Sequence, residues 1–259
     1  MKTLNTLLVA TVLSAGVGLA YAEDSPHSAS ANVAIVTDYV FRGISQTNED
    51  PAIQGGFDYG FDFSEPAAFY AGVWASNVEF NENAAALIPV NEATIEIDFY
   101  GGFNGQIMGA DWDVGGLYYF YPSSPGTLSF DYGEAYGSLG YAFGPVDAKA
   151  GLNYSPDYYG AAGDATWLYG ELGTSALPAG FGLSFQLARQ WIQKNLTFGT
   201  PDYNTWSVGI SQSPGHFWEK LSFMTLELKY IDTDLSSTEC FGGGSICDGR
   251  IVFMVSGSI

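Results

Sequence analysis

The chain has 259 residues and carries 28 acids against 8 bases, a formal net charge of -20, yet only 14% of it is charged while 47% is hydrophobic and 16% aromatic, with 33 glycines. That composition excludes a disordered acidic tail, which is poor in aromatics, and the negative balance repels phosphate backbones and so argues against a nucleic-acid partner. Abundant rings and glycine with scarce Lys and Arg form a β-rich pattern, because rings suit pleated surfaces and glycine suits turns and crowded backbone.

The N-terminus reads as an export signal. Lys2 supplies a basic start, the run from Leu4 to Leu19 is apolar, and Ala20-Tyr21-Ala22 has the form of a cleavage site ahead of Glu23. Residues 1–22 are therefore expected to be a cleaved secretory signal peptide, and 23–259 the mature domain, opening with a short periplasmic tail over 23–30. Removing 1–22 takes one lysine and no acid, which leaves 7 bases against 28 acids, a charge of -21. Past the signal no stretch reaches the roughly 18 consecutive apolar residues of a membrane helix.

The mature chain instead alternates with a period of two, which separates the two faces of a strand. The first segment, 31–44, places Val33, Ile35, Tyr39 and Phe41 on an apolar side and Asp38 and Arg42 on the other. Segments 52–63 and 68–80 follow, with Asp58 and Asp62 on the polar side of the former. In 93–105, Ile95, Ile97, Phe99 and Phe103 oppose Thr94, Glu96, Asp98 and Tyr100. In 110–121, Trp112, Val114, Tyr118 and Phe120 oppose Asp111, Asp113, Tyr119 and Tyr121. Segments 129–143, 146–155 and 164–176 continue the series, Asp147 and Lys149 lying on the polar face. In 180–191, Phe181, Leu183, Phe185 and Leu187 oppose Ser184, Gln186 and Gln190. Segments 203–213 and 221–232 follow, the latter with Glu227 and Lys229 on its polar side, and 249–259 sets Ile251, Phe253, Val255 and Ile259 against Met254, Ser256 and Ser258.

About twelve segments of roughly 10 to 14 residues have the length of tilted membrane-crossing strands. Their connections alternate as well. The odd ones, 45–51, 81–92, 122–128, 156–163, 192–202 and 233–248, are long and polar, whereas the even ones are mostly tight, such as 64–67, 144–145 and 177–179. One end of the sheet thus carries loops and the other turns, the plan of an outer-membrane barrel with extracellular loops and periplasmic turns. A soluble β-sandwich also alternates, but its outward face is polar and its strands are shorter. The expectation is an all-β, transmembrane, up-and-down antiparallel β-barrel of about twelve strands, whose closure leaves no unpaired backbone edge in hydrocarbon.

The stretch VTDYVFRGISQTNEDPAIQGGFDY (36–59), followed by YAGVWASNV (70–78) and EIDFYGGF (96–103), resembles the TorF-type porin family of proteobacteria, and the order of strands extends the resemblance over the whole mature chain. Thr37 and Asn48 stand where that pattern leads one to expect Ser and Asp, and Ile259 where outer-membrane barrels favour an aromatic. The resemblance implies an exported outer-membrane barrel of a Gram-negative bacterium, with outer-membrane lipid and the barrel-assembly machinery as partners and no catalytic residues to carry over.

Chemistry is then sought on the lumen face. A hydrolase needs an activated nucleophile beside a base, but the histidines are only His27, in the expected tail, and His216, in an expected turn, and neither is expected on a strand. The pairs Glu96/Asp98 and Asp111/Asp113 suit field-setting on a polar lining better than acid–base work. No catalytic residue, metal site or cofactor is expected. Cys240 and Cys247 bracket a Gly-rich loop segment and are expected to form a disulfide. Tyr121, Trp191, Trp206 and Phe217 read as interfacial girdle, with a sugar-stacking role for inward Tyr119 and Tyr121 as a second reading. The pairs Gly55-Gly56, Gly101-Gly102 and Gly115-Gly116 read as bulges or as places where a side chain folds over the backbone.

By parity the lumen holds Asp38, Asp58, Asp62, Glu96, Asp98, Asp111, Asp113, Asp147 and Glu227 against Arg42, Lys149 and Lys229. Such an excess of acids in a path walled by lipid focuses a negative potential. The expected function is a porin for passive diffusion of small hydrophilic solutes with preference for cations. The alternative is a structural or adhesion-type barrel whose lumen is plugged, since twelve strands lie between filled eight-stranded barrels and open sixteen-stranded porins.

Overall fold

The computed structural model of the protein describes residues 25–64, 67–80, 93–122, 124, 129–175, 177–241 and 243–259; the expected signal peptide, 1–22, and the whole of the expected loop 81–92 lie outside them. The strands are β1 (His27–Val36), β2 (Val40–Phe41), β3 (Ile44–Ser45), β4 (Ala52–Ser64), β5 (Ala67–Asn77), β6 (Ile95–Ile107), β7 (Ala110–Phe120), β8 (Tyr132–Phe143), β9 (Val146–Ser155), β10 (Ala165–Thr174), β11 (Phe181–Ile192), β12 (Tyr203–Gln212), β13 (Met224–Thr233) and β14 (Arg250–Ser258). All but β2 and β3 form one closed antiparallel barrel of twelve strands, in which each strand pairs with its neighbours in sequence and β1 also pairs with β14.

The alternation of the sequence becomes inside and outside. Ile53, Leu139 and Ile251 point outward and are 66%, 59% and 66% exposed, and Phe57, Phe99, Val114, Leu187 and Val208 are exposed beside them. A belt of large apolar side chains around the whole circumference exceeds what a water-facing surface carries, so this surface is suited to hydrocarbon. Trp191 and Phe217 are exposed near opposite ends of the barrel, as a girdle requires, but Tyr121 is buried and belongs to the interior.

Connections 37–51, 156–164 and 193–202 and the described parts of 78–94, 121–131 and 234–249 lie at one end, the loop end, and the described parts of the shorter joints lie at the other. The joint 213–223 is an exception to tightness, containing two 3-10 turns, one of which holds His216. His27 is not in a tail: it opens β1, and its Nδ1 lies 2.7 Å from the hydroxyl of Tyr59.

The first strand departs from expectation. It stops at Val36 rather than 44, where the Thr37 hydroxyl accepts a hydrogen bond from the Phe253 N–H and the Thr37 N–H donates to the Phe253 carbonyl. The chain then turns into the barrel as a small hairpin of β2 and β3. Tyr39 and Phe41 therefore do not face lipid; Tyr39 is buried and Phe41 packs against the buried layer. The tip is the two-residue turn Arg42-Gly43, both with positive φ (49° and 86°), the geometry of a tight hairpin turn matched to strand twist. A Cβ on Gly43 would collide with the side chains of Thr205 and Thr233, so only glycine lets the tip seat against β12 and β13.

The glycine pairs are not bulges: Gly101 pairs with Gly116 and Gly102 with Gly115 in unbroken register. The register shift lies instead between Asp62 and Ser64. Four inward glycines, Gly72, Gly102, Gly115 and Gly151, each sit directly opposite a tyrosine, Tyr100, Tyr70, Tyr136 and Tyr169. A Cβ at any of the four would overlap that tyrosine, so ring covers bare backbone.

If the outward belt lies in hydrocarbon, Leu187→Arg, near the middle of β11, is expected to destabilise the barrel by about 2–4 kcal/mol. Urea titration of the protein refolded in liposomes measures this, and an unchanged midpoint would show that the outer face is not in contact with lipid.

Candidate functional site

The interior is graded along its axis. Inward residues next to the loop end, among them Glu96, Tyr119, Tyr132, Ser155, Gln190, Tyr203 and Thr233, are buried, whereas Asp111 and Asn104 near the turn end are exposed and Asp113, Asp147 and Lys149 are half-buried. The loop end is closed by the hairpin and by an aromatic layer around it. Tyr119 stacks on Tyr132 at 4.2 Å between ring centroids, Tyr132 meets Tyr158 edge-on at 4.8 Å, and Phe198, from the one-turn helix α1 (Asn195–Phe198), joins Tyr158 to Phe241. Tyr119 and Tyr121 are thus packed within this layer rather than lining an open slide.

The expected disulfide Cys240–Cys247 is present, with both residues fully buried and their Cα atoms 5.9 Å apart. Its loop caps the hairpin: the Ser45 N–H donates to the Ile246 carbonyl at 2.9 Å, and the Thr233 hydroxyl to the Cys247 carbonyl.

Ion pairs clamp the hairpin. Arg42 donates to Glu134 at 2.6 Å and to Gln190 at 3.0 Å, with the arginine and glutamate side chains 6% and 1% exposed. The guanidinium also lies 4.7 Å from the Phe41 ring centre and 5.1 Å from that of Trp167, where ring quadrupoles favour a cation. Burial pushes the hydroxyl of neighbouring Tyr158 up to about 12, so it stays neutral beside the guanidinium. Asp38 accepts from Ser45 at 2.6 Å, Thr47 at 3.0 Å and Arg250 at 2.7 Å, and Arg250 also approaches Glu49 at 3.5 Å.

The other acids meet hydroxyls more often than cations. Glu96 accepts from Tyr39 at 2.6 Å and Tyr121 at 2.5 Å, Asp113 from Tyr70 at 2.6 Å, and Asp58 from Tyr100. Tyr70 and Tyr136 share a hydrogen bond of their own. Glu227 pairs with Lys229 at 3.0 Å, Lys149 lies over the Tyr169 ring at 5.9 Å, and Asp111 accepts from Gln106 near the turn end. Asp62 is exposed at the turn end, away from the rest, and Asp98 is buried beside Glu96 on the same face of β6.

Three inward groups fell outside the expected lining. Glu134 on β8 and Glu171 on β10, the latter hydrogen-bonded to Gln186 at 2.7 Å, follow the same parity as their neighbours Tyr132, Tyr136 and Tyr169, so the alternation was there to find them. Arg250 on β14 shares the inward parity of Met254 and Ser256, but its partner carried no such signal, because the ion pair with Asp38 depends on 37–51 being folded inward.

Removing the cation alone is expected to be severe, because an uncompensated buried carboxylate remains: Arg42→Ala should cost about 3–5 kcal/mol, and Glu134→Gln added to it should recover part of the loss. Urea unfolding of single and double variants in liposomes checks this, and equal stability of wild type and Arg42→Ala would show that the pair does not hold the hairpin.

No curated protein matches the sequence. Among solved structures, the NanC porin superposes with a TM-score of 0.54 at 7% identity, covering 87% of this chain and 97% of that one. An outer-membrane channel from Pseudomonas putida F1 gives 0.51 at 7% identity over 89% and 94% of the two chains, and a FadL homologue of Pseudomonas aeruginosa 0.51 at 8% over 90% and 75%. At these identities the likeness is one of fold. The model of a bacterial family described as proteins of unknown function, Gcw_chp, matches residues 20–258, and the chain belongs to that family.

Proposed function

We propose that the protein is an outer-membrane channel for small hydrophilic solutes, preferring cations, and closed at its loop end in the state described above. The observation that carries this reading is the composition of the turn-side half of the lumen. Asp58, Asp113, Asp147, Glu171 and Glu227 line it against Lys149 and Lys229, with tyrosine hydroxyls between them. An interior built only to be filled would gain more from packed apolar side chains, since polar groups taken from water need partners. An aqueous path lined in this way and walled by a low-dielectric sheet concentrates cations.

The resemblance of 36–59 to TorF-type porins and the barrel fold of known outer-membrane channels support the same reading. In this reading the leader directs export, the assembly machinery inserts the barrel, the loop end faces the outside and the turn end the periplasm. The hairpin bearing Arg42 is then a gate that must move for solute to pass. A second reading, a structural barrel with a permanently plugged lumen, is favoured by the buried aromatic layer at the loop end.

Planar-bilayer recordings separate the two. Stepwise openings are expected, with a reversal potential on the cation-selective side under a salt gradient, and neutralising Asp58, Asp113, Glu171 and Glu227 together should move that potential towards zero. Deleting residues 40–45 should raise the open probability. Silence of both the intact protein and the deletion variant would favour the structural reading, and an anion-selective potential would remove the electrostatic mechanism.

A further inference from the structure

Among the described residues Asp98 is the buried acid with both carboxylate oxygens unmet, where Asp58 and Glu171 each leave only one. It faces inward on β6, directly opposite Trp74 on β5 and Tyr119 on β7, and it is 1% exposed. From the loop side the hairpin covers it: Tyr39 packs edge-on against Trp74 at 5.4 Å and Phe41 edge-on against Tyr119 at 5.7 Å. Its acidic neighbours are satisfied. Both Glu96 oxygens accept tyrosine hydroxyls, and Glu134 accepts from Arg42, Tyr119 and Asn153. Among the described residues neither Asp98 oxygen has a hydrogen-bond partner.

A carboxylate in such a place must be neutralised, by a proton or by a cation. A proton answers only half of the demand, because the new hydroxyl would need an acceptor of its own and the second oxygen would still lack a donor. A cation ligated by the carboxylate removes the charge without creating a donor, and the surrounding rings attract it through their quadrupoles. Among the described residues no three acidic, His or Cys side chains converge as a metal centre requires, which argues for a singly charged ion over a divalent one. We propose that Asp98 binds a small monovalent cation between Trp74, Tyr119 and the β2–β3 hairpin. This does not rest on conduction: a plugged structural barrel would hold the ion equally well.

The test is equilibrium stability, with K+ as the probe. The full-length barrel, refolded in detergent, is melted at neutral pH while K+ replaces N-methylglucamine at constant ionic strength. The wild-type midpoint should rise by about 3–6 °C once K+ exceeds its Kd tenfold, and Asp98→Asn should melt independently of K+. A wild-type midpoint indifferent to K+, or an Asp98→Asn variant that retains the full response, would overturn the site. Should Asp98→Asn not fold, wild-type crystals soaked in Rb+ decide: an anomalous peak against the Asp98 carboxylate supports the proposal, and none there refutes it. Bilayer recordings address the channel separately, so the two proposals fail independently.

Discussion

The pairing of β1 with β14 is the contact on which the rest of the molecule depends. It leaves the twelve-stranded sheet without an edge, and an edge is what a surface as apolar as this one cannot carry, because hydrocarbon offers no partners to free N–H and C=O groups. Closure in turn commits every residue of every strand to one of two sides. The apolar set has to be outside, so whatever polar groups the sequence holds at the opposite parity are forced together in the interior.

That interior has to be neutralised with few cations, since the chain carries 8 bases against 28 acids. Tyrosine hydroxyls make up much of the difference. Glu96, Asp113 and Asp58 take their hydrogen bonds from Tyr39 and Tyr121, Tyr70, and Tyr100. A phenol donates without adding charge, and the rings of Tyr70 and Tyr100 also lie over the glycine of the neighbouring strand, so two of the Gly–Tyr pairs that fill the wall present donors as well. The buried cation, Arg42, is kept for the place where an acid and the inserted hairpin must be joined.

The hairpin divides the lumen into unlike halves. On the loop side, aromatic contacts and the Cys240–Cys247 loop bury it. On the turn side, charged residues remain in contact with solvent. Ionic clamps at Arg42–Glu134 and Arg250–Asp38 span the boundary and bind the hairpin segment to β8 and β14, two strands far apart in sequence. A single short segment therefore decides both how the barrel is closed and which acids are left without a partner.

The sequence by itself determined the barrel: strand number, alternation of faces, loop and turn ends and the disulfide are local or periodic properties, written in residue type and spacing. The lining was legible to the same degree, since parity places Glu96, Asp98, Asp113, Lys149 and Glu227 inward and applies equally to Glu134 and Glu171. Only the tertiary structure decided that 37–51 enters the lumen. Val40-Phe41 and Ile44-Ser45 continue the period of the first strand, and Arg42-Gly43 announces a turn without saying where the turn goes. The direction is set by groups remote in sequence: the space that Thr205 and Thr233 leave beside Gly43, the Glu134 carboxylate that Arg42 meets, and the Arg250 guanidinium that holds Asp38. Periodicity records how a strand meets its own two faces, whereas the fate of an inserted loop depends on contacts made across the barrel, which no local pattern contains.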